Sequence, residues 1–213
     1  MRLVGARANG LNYLAHLLLA GSDPELRLGG ILGDFVKGVL PGDLPSGLAR
    51  GVALHRGIDV FADGHPAFRA SRERVSRERR RYAGIMVDMF YDHLLAANWS
   101  QWCRQPLDRF AAEAYGLLGE RPELLPERLA GILPAMREHD WLGSYREMRS
   151  ISVALDRISV YRLRQPNYLG GGGAELEADY AGFAADFAVF FPDALGFAQR
   201  WISANPAPPP SRG

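Results

Sequence analysis

The sequence predicts an all-α fold, with a single domain folded as an irregular helical bundle. Apolar residues recur at helical spacing along most of the 213 residues. Proline and glycine interrupt that pattern at positions suited to helix ends. Neither an alternation of strands with helices nor a series of evenly spaced short strands is visible, which argues against a sheet-based fold. Hydrophobic residues make up 47% and charged residues 23% of the chain, so a sizeable core is expected and wholesale disorder is not.

The first half of the chain divides into five predicted helices. The second of them begins at Asp23-Pro24, a helix-start signal with proline in the first turn. The third begins near Ser46, after a loop rich in proline and glycine, and ends before Gly64. The five predicted ranges are 11–21, about 24–38, about 46–63, about 66–82 and about 83–103.

The second half is less regular. Two or three helices are expected over 107–148, where three prolines mark the breaks, and 149–165 fits either a helix or a strand. The four glycines at 170–173 predict a flexible loop, and a last amphipathic helix follows over about 174–203. The expected organisation has three parts: a loose extension at 1–10, the folded domain at 11–203 and a disordered, Pro-rich tail at 204–213.

Charge and cysteine content exclude few classes of protein. The net charge of +1 by itself predicts no partner. Lys37 is the only lysine, so the other 24 of the 25 basic residues are arginines, which fits a GC-rich genome or the recognition of phosphate and carboxylate groups. The single cysteine, Cys103, excludes an intrachain disulfide and fits a reducing compartment. No apolar run reaches the roughly 18 to 20 residues of a membrane span, so a cytoplasmic protein without membrane partners is expected.

The fifth predicted helix carries polar residues in an apolar setting. Asp88, Asp92 and His93 lie within a segment that is otherwise apolar on every side, as in a buried helix. Burying an unpaired carboxylate is costly, so such groups are normally paired or bound to a metal. Asp88 and Asp92 share one face, and His93 lies about 100° around the helix from Asp92. A metal or catalytic face and a salt-bridged structural cluster both fit this helix.

Three earlier helices repeat this theme. His55 and Asp59 are four residues apart and share a face, Asp34 stands among apolar residues and glycines, and His16 lies on an apolar helix. Taken singly, each also fits a chance pair, a helix-packing site or a core histidine. Together they indicate one polar site in the N-terminal half, because the rest of the chain offers only His139, which fits a structural turn. Mixed imidazole and carboxylate ligands suit Mn²⁺, Mg²⁺ or Fe²⁺, which would polarise a phosphoryl oxygen.

An arginine-rich segment lies between Phe68 and Tyr82. On a continuous helix, four of its arginines would fall on one side: Arg69, Arg72, Arg77 and Arg80. A solvated helix face, a nucleic-acid surface and a docking surface for an acidic protein all fit such a run. The lack of interleaved aromatic residues and the near-neutral net charge disfavour nucleic acid.

Four segments, taken together, resemble a known family. They are Asn-Tyr-Leu-Ala-His-Leu at 12–17, Gly-Asp-Phe-Val-Lys-Gly at 33–38, His-Arg-Gly-Ile-Asp at 55–59 and Asp-Met-Phe-Tyr-Asp-His-Leu-Leu at 88–95. With Trp99-Ser100 following, their order and spacing resemble the bacterial acyl carrier protein phosphodiesterases, also called acyl carrier protein hydrolases. The resemblance covers most of residues 11–203, and its specificity comes from the combination, since no single motif is specific.

The resemblance implies an activity and a set of site residues. The family is a divergent, all-helical relative of the HD-type phosphohydrolases. It hydrolyses the phosphodiester that joins 4′-phosphopantetheine to a serine of holo acyl carrier protein, with Mn²⁺ or Mg²⁺. Its essential acidic residue corresponds to Asp34, and its two His/Asp motifs correspond to His55 with Asp59 and to Asp88, Asp92 and His93. Gly57 departs from the family, where a second basic residue is usual, and this puts substrate affinity in question.

Roles follow for the candidate residues. The expected metal ligands, some of them acting indirectly, are His16, Asp34, His55, Asp59, Asp88 and Asp92. Asp34 and His93 are the catalytic candidates, the second as an acid or orienting group, and Lys37 and Arg56 are expected to contact phosphate. Docking of the acidic carrier protein is assigned to Arg69, Arg72, Arg77 and Arg80.

Two rival functions fit parts of the same pattern. An HD-like phosphohydrolase acting on a nucleotide or another small phosphoester would share the metal site without needing the arginine segment. A non-enzymatic helical adaptor for an acidic partner would need no metal, and Asp34→Ala would leave its function intact.

Overall fold

A computed structural model of the chain describes residues 13–207. Within that range the chain forms α-helices, three short 3-10 turns and no β-strand. The helices are α1 (Tyr13–Leu19), α2 (Pro24–Leu32), α3 (Ser46–Gly64), α4 (Pro66–Arg74), α5 (Ala83–Ala97), α6 (Leu107–Glu120), α7 (Glu127–Glu138), α8 (Trp141–Ser144), α9 (Met148–Tyr161), α10 (Gly173–Ala178) and α11 (Tyr180–Ala204). The all-α prediction is confirmed, while the predictions for 1–10 and for most of the tail fall outside the described residues.

Several predicted helix boundaries were wrong. The second helix ends at Leu32, several residues earlier than predicted, and the fifth ends at Ala97. The ambiguous segment after residue 148 is the helix α9, and the last predicted helix is divided into α10 and α11 at Asp179. Helix propensity alone did not place these ends, because turns and capping contacts interrupt a pattern that remains apolar.

The arginine-rich segment also departs from the prediction. Helix α4 ends at Arg74, and the next residue, Val75, has an extended backbone with φ −61° and ψ 133°. The guanidinium of Arg80 donates hydrogen bonds to the carbonyl oxygens of Glu73 and Val75 at 2.8 and 2.7 Å. These bonds satisfy carbonyl groups at the end of α4, so the chain turns before the short 3-10 segment at 80–82.

Helices α2 and α3 pack closely at two glycines. A Cβ atom built on Gly29 would lie 2.6 Å from the Cα atom of Gly51, closer than any real contact. The absence of a side chain at Gly29 and Gly51 therefore allows the two helix backbones to approach each other. The chain leaving α2 is consequently held against the middle of α3, where the polar residues of that helix lie.

Helix α5 crosses the core and is buried on almost every side, as the sequence predicted. It packs against α1, α4, α9 and α11. Helix α11 covers it with an aromatic face that includes Phe183, Phe187, Phe190 and Phe191. Helix α11 is also long and apolar enough to span a membrane. That is weak evidence for a membrane span, because α11 packs against the helices of the core.

Candidate metal centre

Three side chains from two helices form a compact cluster. His16 lies on α1, and His55 and Asp59 lie one turn apart on α3. The Asp59 carboxylate contacts both imidazoles, with Oδ1 3.3 Å from Nε2 of His16 and Oδ2 3.3 Å from Nε2 of His55. The two rings stack with their centroids 3.9 Å apart. One nitrogen from each ring and one carboxylate oxygen thus lie within 4.8 Å of one another, a spacing suited to a metal ion.

Local backbone contacts fix the orientation of His55. Its Nδ1 lies 2.8 Å from the carbonyl oxygen of Gly30, so Nδ1 carries the hydrogen and Nε2 is left as an electron-pair donor towards the cluster. A Cβ atom on Gly33 would lie 2.2 Å from the His55 ring, so the ring occupies space that only glycine provides. The glycines around Asp34 therefore serve the approach of a neighbouring helix and its histidine.

Burial and neighbouring charge set the protonation of the cluster. Burial, and then the nearby His55, lower the pKa of His16 to about 4, so this imidazole is neutral at neutral pH and competent to bind a metal. Burial alone would lower the pKa of His55, but its hydrogen bond to Asp59 and the charge of that carboxylate raise it. Partial burial would raise the pKa of Asp59, yet the two imidazoles hold it well below its ordinary value. Neither ring nitrogen of His16 has a well-aligned hydrogen-bond partner among the described residues.

Two further carboxylates lie close to the cluster. Oδ1 of the buried Asp34 is 3.9 Å from Nε2 of His55, and burial raises the pKa of Asp34 to about 7. Burial and then the charges of Asp59 and Asp34 raise the pKa of the half-buried Asp88 well above its ordinary value. A cation bound among these carboxylates would relieve their mutual repulsion and lower their pKa values. The residues therefore fit a hard or borderline divalent metal ion.

Asp92 and His93 are engaged elsewhere. The carboxylate oxygens of Asp92 accept hydrogen bonds from the backbone amides of Leu14 and Ala15, at 3.0 and 2.9 Å. His93 has its Nδ1 2.9 Å from the carbonyl oxygen of Tyr145, and its Nε2 3.2 Å from the hydroxyl of Tyr180. Asp88 therefore lies near the candidate cluster, whereas Asp92 and His93 form hydrogen bonds that join helix α5 to neighbouring segments.

The predicted phosphate contacts lie on one loop and on α3. Lys37 is exposed in the loop after α2, and its charge acts on Asp34. The Arg56 guanidinium donates hydrogen bonds to the carbonyl oxygens of Gly38 and Val36, at 2.9 and 3.1 Å. Arg56 therefore holds the loop that carries Lys37. Gly57, the departure from the family pattern, faces α11, where a Cβ atom would lie 3.4 Å from Nε1 of Trp201, at ordinary contact distance.

The predicted basic stripe does not form. Arg69 and Arg72 lie on α4, where the first donates to the carbonyl oxygen of Gly64 and the second pairs with Asp63 at 3.3 Å. Arg77 is exposed in the turn that follows, and Arg80 is occupied by the backbone of the α4 end. The four side chains thus do not share one helical face, because the helix is interrupted between them.

An arginine-lined cavity beside the cluster was not predicted. It has a volume of about 640 Å³ and is bounded by α7, α8 and α9 together with Tyr13 of α1 and Met89 of α5. Arg162, just after α9, also lines it, and electrostatic contacts link Arg162 to Tyr13 and Asp34. Nothing in the sequence around 149–162 distinguishes these residues from an ordinary amphipathic helix, so no sequence signal would have found the cavity.

Comparisons with known proteins identify a family for this chain. The family described as acyl carrier protein phosphodiesterase matches residues 11–194, a range that includes the whole cluster. A protein named acyl carrier protein phosphodiesterase from Serratia proteamaculans is 33% identical over 188 residues, 87% of this chain and 96% of that protein. One of the same name from Escherichia coli O157:H7 is 32% identical over 191 residues, 89% of this chain and 98% of that protein.

No solved structure matches the chain, so the likeness to HD-type phosphohydrolases stays a prediction. The family match covers well over half of the 213 residues, and both relatives align over nearly their full lengths. The chain belongs to the acyl carrier protein phosphodiesterase family.

Proposed function

We propose that this protein hydrolyses the phosphodiester between 4′-phosphopantetheine and the serine of holo acyl carrier protein, in a metal-dependent reaction. The observation that carries the proposal is the His16, His55 and Asp59 cluster, in a chain whose relatives are named for this activity. The chemistry required is the transfer of a phosphoryl group to water, which metal centres with nitrogen and oxygen ligands support. The names of these relatives do not favour the alternative, a small phosphoester substrate.

The residues that would hold the metal are the three members of the cluster, with Asp34 and Asp88 beside them. We propose Mn²⁺ or Mg²⁺, since no cysteine takes part and the ligands are imidazole and carboxylate. When bound, the ion would polarise a phosphoryl oxygen and lower the pKa of a nearby water. Asp92 and His93 would act by fixing the helices that carry these ligands.

The chain's own residues complete the site. Asp34 is buried beside His55, and burial raises its pKa to about 7 in the metal-free protein. A bound ion would lower that pKa, which leaves the carboxylate free to bind the ion or to accept a proton. Lys37 stands on the adjoining loop, held by Arg56, where an ammonium group would neutralise a phosphate oxygen. A cytoplasmic location is part of the proposal, because the carrier-protein substrate would be met there.

Intact mass of the carrier protein tests the reaction. Holo acyl carrier protein incubated with this protein and Mn²⁺ is expected to lose the mass of the phosphopantetheine group. A chelator should prevent the loss, because the ligand cluster requires an ion.

Asp34→Ala provides the matched site variant for this assay. It is expected to leave the carrier protein in the holo form, since the buried carboxylate beside His55 is removed. An unchanged mass with folded, metal-loaded wild-type protein would contradict the substrate assignment. A panel of small phosphoesters would then test the alternative.

Metal binding is expected to strengthen as the pH rises from about 6 to about 8. The pKa of Asp34 is raised to about 7, and that of His55 is raised above its ordinary value, so both carry protons at the lower end of this range. A metal ion requires the deprotonated carboxylate and the neutral imidazole, so it competes with protons there. Titration calorimetry of Mn²⁺ in buffers of different ionisation enthalpy should show the release of about one to two protons per ion. Equal affinity at both pH values, with no proton release, would contradict a site that includes these two residues.

A further inference from the structure

We propose that the cavity between α7 and α9 is the docking surface for an acidic, amphipathic segment of the carrier protein. The inference rests on the proposed function, because it takes the carrier protein as the substrate. It replaces the arginine-rich segment between residues 68 and 82 as the surface that recognises that substrate.

The charge of the cavity is the first argument. Its lining includes four arginines and no aspartate or glutamate: Arg128 of α7, Arg149 and Arg157 of α9, and Arg162. Arg128, Arg149 and Arg157 are exposed, and among the described residues no carboxylate forms an ion pair with any of them. Uncompensated positive charge around a concave surface favours an anionic partner and speeds its association.

The pattern along α9 is the second argument. Arg149, Val153, Arg157 and Tyr161 follow one another at intervals of four residues, so they form one stripe, and all four line the cavity. Val153 is 41% exposed and Tyr161 is 83% exposed. Alternating arginine and apolar side chains complement a helix face that alternates acidic and apolar residues, which is how an amphipathic helix binds in a groove.

The position of the cavity is the third argument. Tyr13 lines it and precedes the proposed ligand His16 by about one helical turn on α1. Met89 also lines it and follows Asp88 directly on α5. A segment held on α9 would therefore lie beside the metal centre, within reach of a prosthetic group attached to it.

Several arginines of the earlier segment already have partners within the protein. Arg74 pairs with Asp186 and Asp179, each at 2.7 Å, and Arg79 pairs with Glu175 at 3.2 Å. These contacts tie α4 and the turn after it to α10 and α11. Arginines that hold the fold together are less available to a partner than those around the cavity.

A double charge reversal tests the proposal. The R149E/R157E variant is expected to bind apo acyl carrier protein, which lacks the prosthetic group, at least about tenfold more weakly than the wild type, as measured by fluorescence anisotropy. The KM for holo carrier protein should rise similarly, with the loss expressed in KM rather than kcat. The milder R149A/R157A variant should show a smaller change in the same direction, and thermal melting would establish that both fold.

The matched control is R104E/R109E, which makes the same charge change at two exposed arginines that do not line this cavity. An affinity of R149E/R157E equal to that of this control would overturn the docking surface. So would a loss confined to R69E/R77E, which would return docking to the earlier segment. Failure of the proposed function would give a different result from failure of the docking surface, because the wild-type protein would then leave holo carrier protein intact.

Discussion

Replacing Asp59 with asparagine is expected to reduce the hydrolysis of holo carrier protein on the order of 10³-fold or more. The two oxygens of Asp59 reach the imidazoles of His16 and His55, so its carboxylate is the shared member of the cluster. Asparagine has nearly the same size but no charge, and its amide nitrogen would face an imidazole nitrogen. We therefore expect the Asp59→Asn protein to lose most of its bound Mn²⁺, measured by metal analysis after gel filtration, along with kcat/KM.

A carboxylate one turn further along α3 offers the matched control. Asp63 is exposed and pairs with Arg72 at 3.3 Å, so Asp63→Asn removes the same charge from the same helix. It should retain its metal and stay within about threefold of wild-type activity, because a surface ion pair contributes little. Wild-type metal content and activity in Asp59→Asn would rule out this carboxylate as a ligand.

Helical spacing was sufficient to predict the centre of the site. His55 and Asp59 are four residues apart, and a helix places such a pair on one face wherever it packs. The expectation that Asp34 and His16 would join them came from polar residues in apolar helices, since burial requires a partner. The structure brings all four close together.

The same reasoning did not separate Asp88 from Asp92. Both lie on one face of α5, but a helix advances about 6 Å between them, and each meets a different neighbour. Asp88 lies near the carboxylates of the cluster, whereas Asp92 meets the backbone of α1. Sequence spacing fixes which residues share a face, and only tertiary packing determines what that face meets.

The positions of the arginines also could not be predicted from sequence spacing. No proline or glycine marks the end of α4, which stops where Arg80 binds the carbonyl oxygens of Glu73 and Val75. An arginine clamp of this kind leaves no pattern in the sequence. The role of the cavity arginines on α9 also could not be predicted from the sequence, because their exposure depends on which helices lie beside them.

Replacing Asp92 with alanine is expected to lower the free energy of unfolding by about 2 to 5 kcal/mol, because two amides of α1 would lose their buried acceptor. Those amides belong to Leu14 and Ala15, which directly precede His16. Burial raises the pKa of Asp92 to about 8, and the hydrogen bonds from these amides oppose that rise. Denaturant unfolding of the metal-free protein would measure the loss.

Asp23→Ala is the reference for losing two amide hydrogen bonds at a less buried site. Asp23 accepts hydrogen bonds from the backbone amides of Glu25 and Leu26 as the cap of its own helix, and its other oxygen pairs with Arg50 at 3.1 Å. Its loss should cost about 0.5 to 2 kcal/mol, as for other helix caps. A cost for Asp92→Ala no greater than this would contradict the role of Asp92 as a buried link between α5 and α1.

Asp92→Asn distinguishes this structural role from a metal-binding one. Asparagine keeps one acceptor oxygen for α1 but turns its amide group towards the second N–H, so a partial loss of stability is expected. At saturating Mn²⁺ and a temperature well below unfolding, the variant should bind the metal with the wild-type stoichiometry, because His16, His55 and Asp59 remain. If Asp92 were a ligand, the same variant would lose metal affinity while remaining folded. Asp92 binds the backbone of α1, and α1 carries His16. A variant of Asp92 that lost both stability and metal binding would therefore do so by displacing α1.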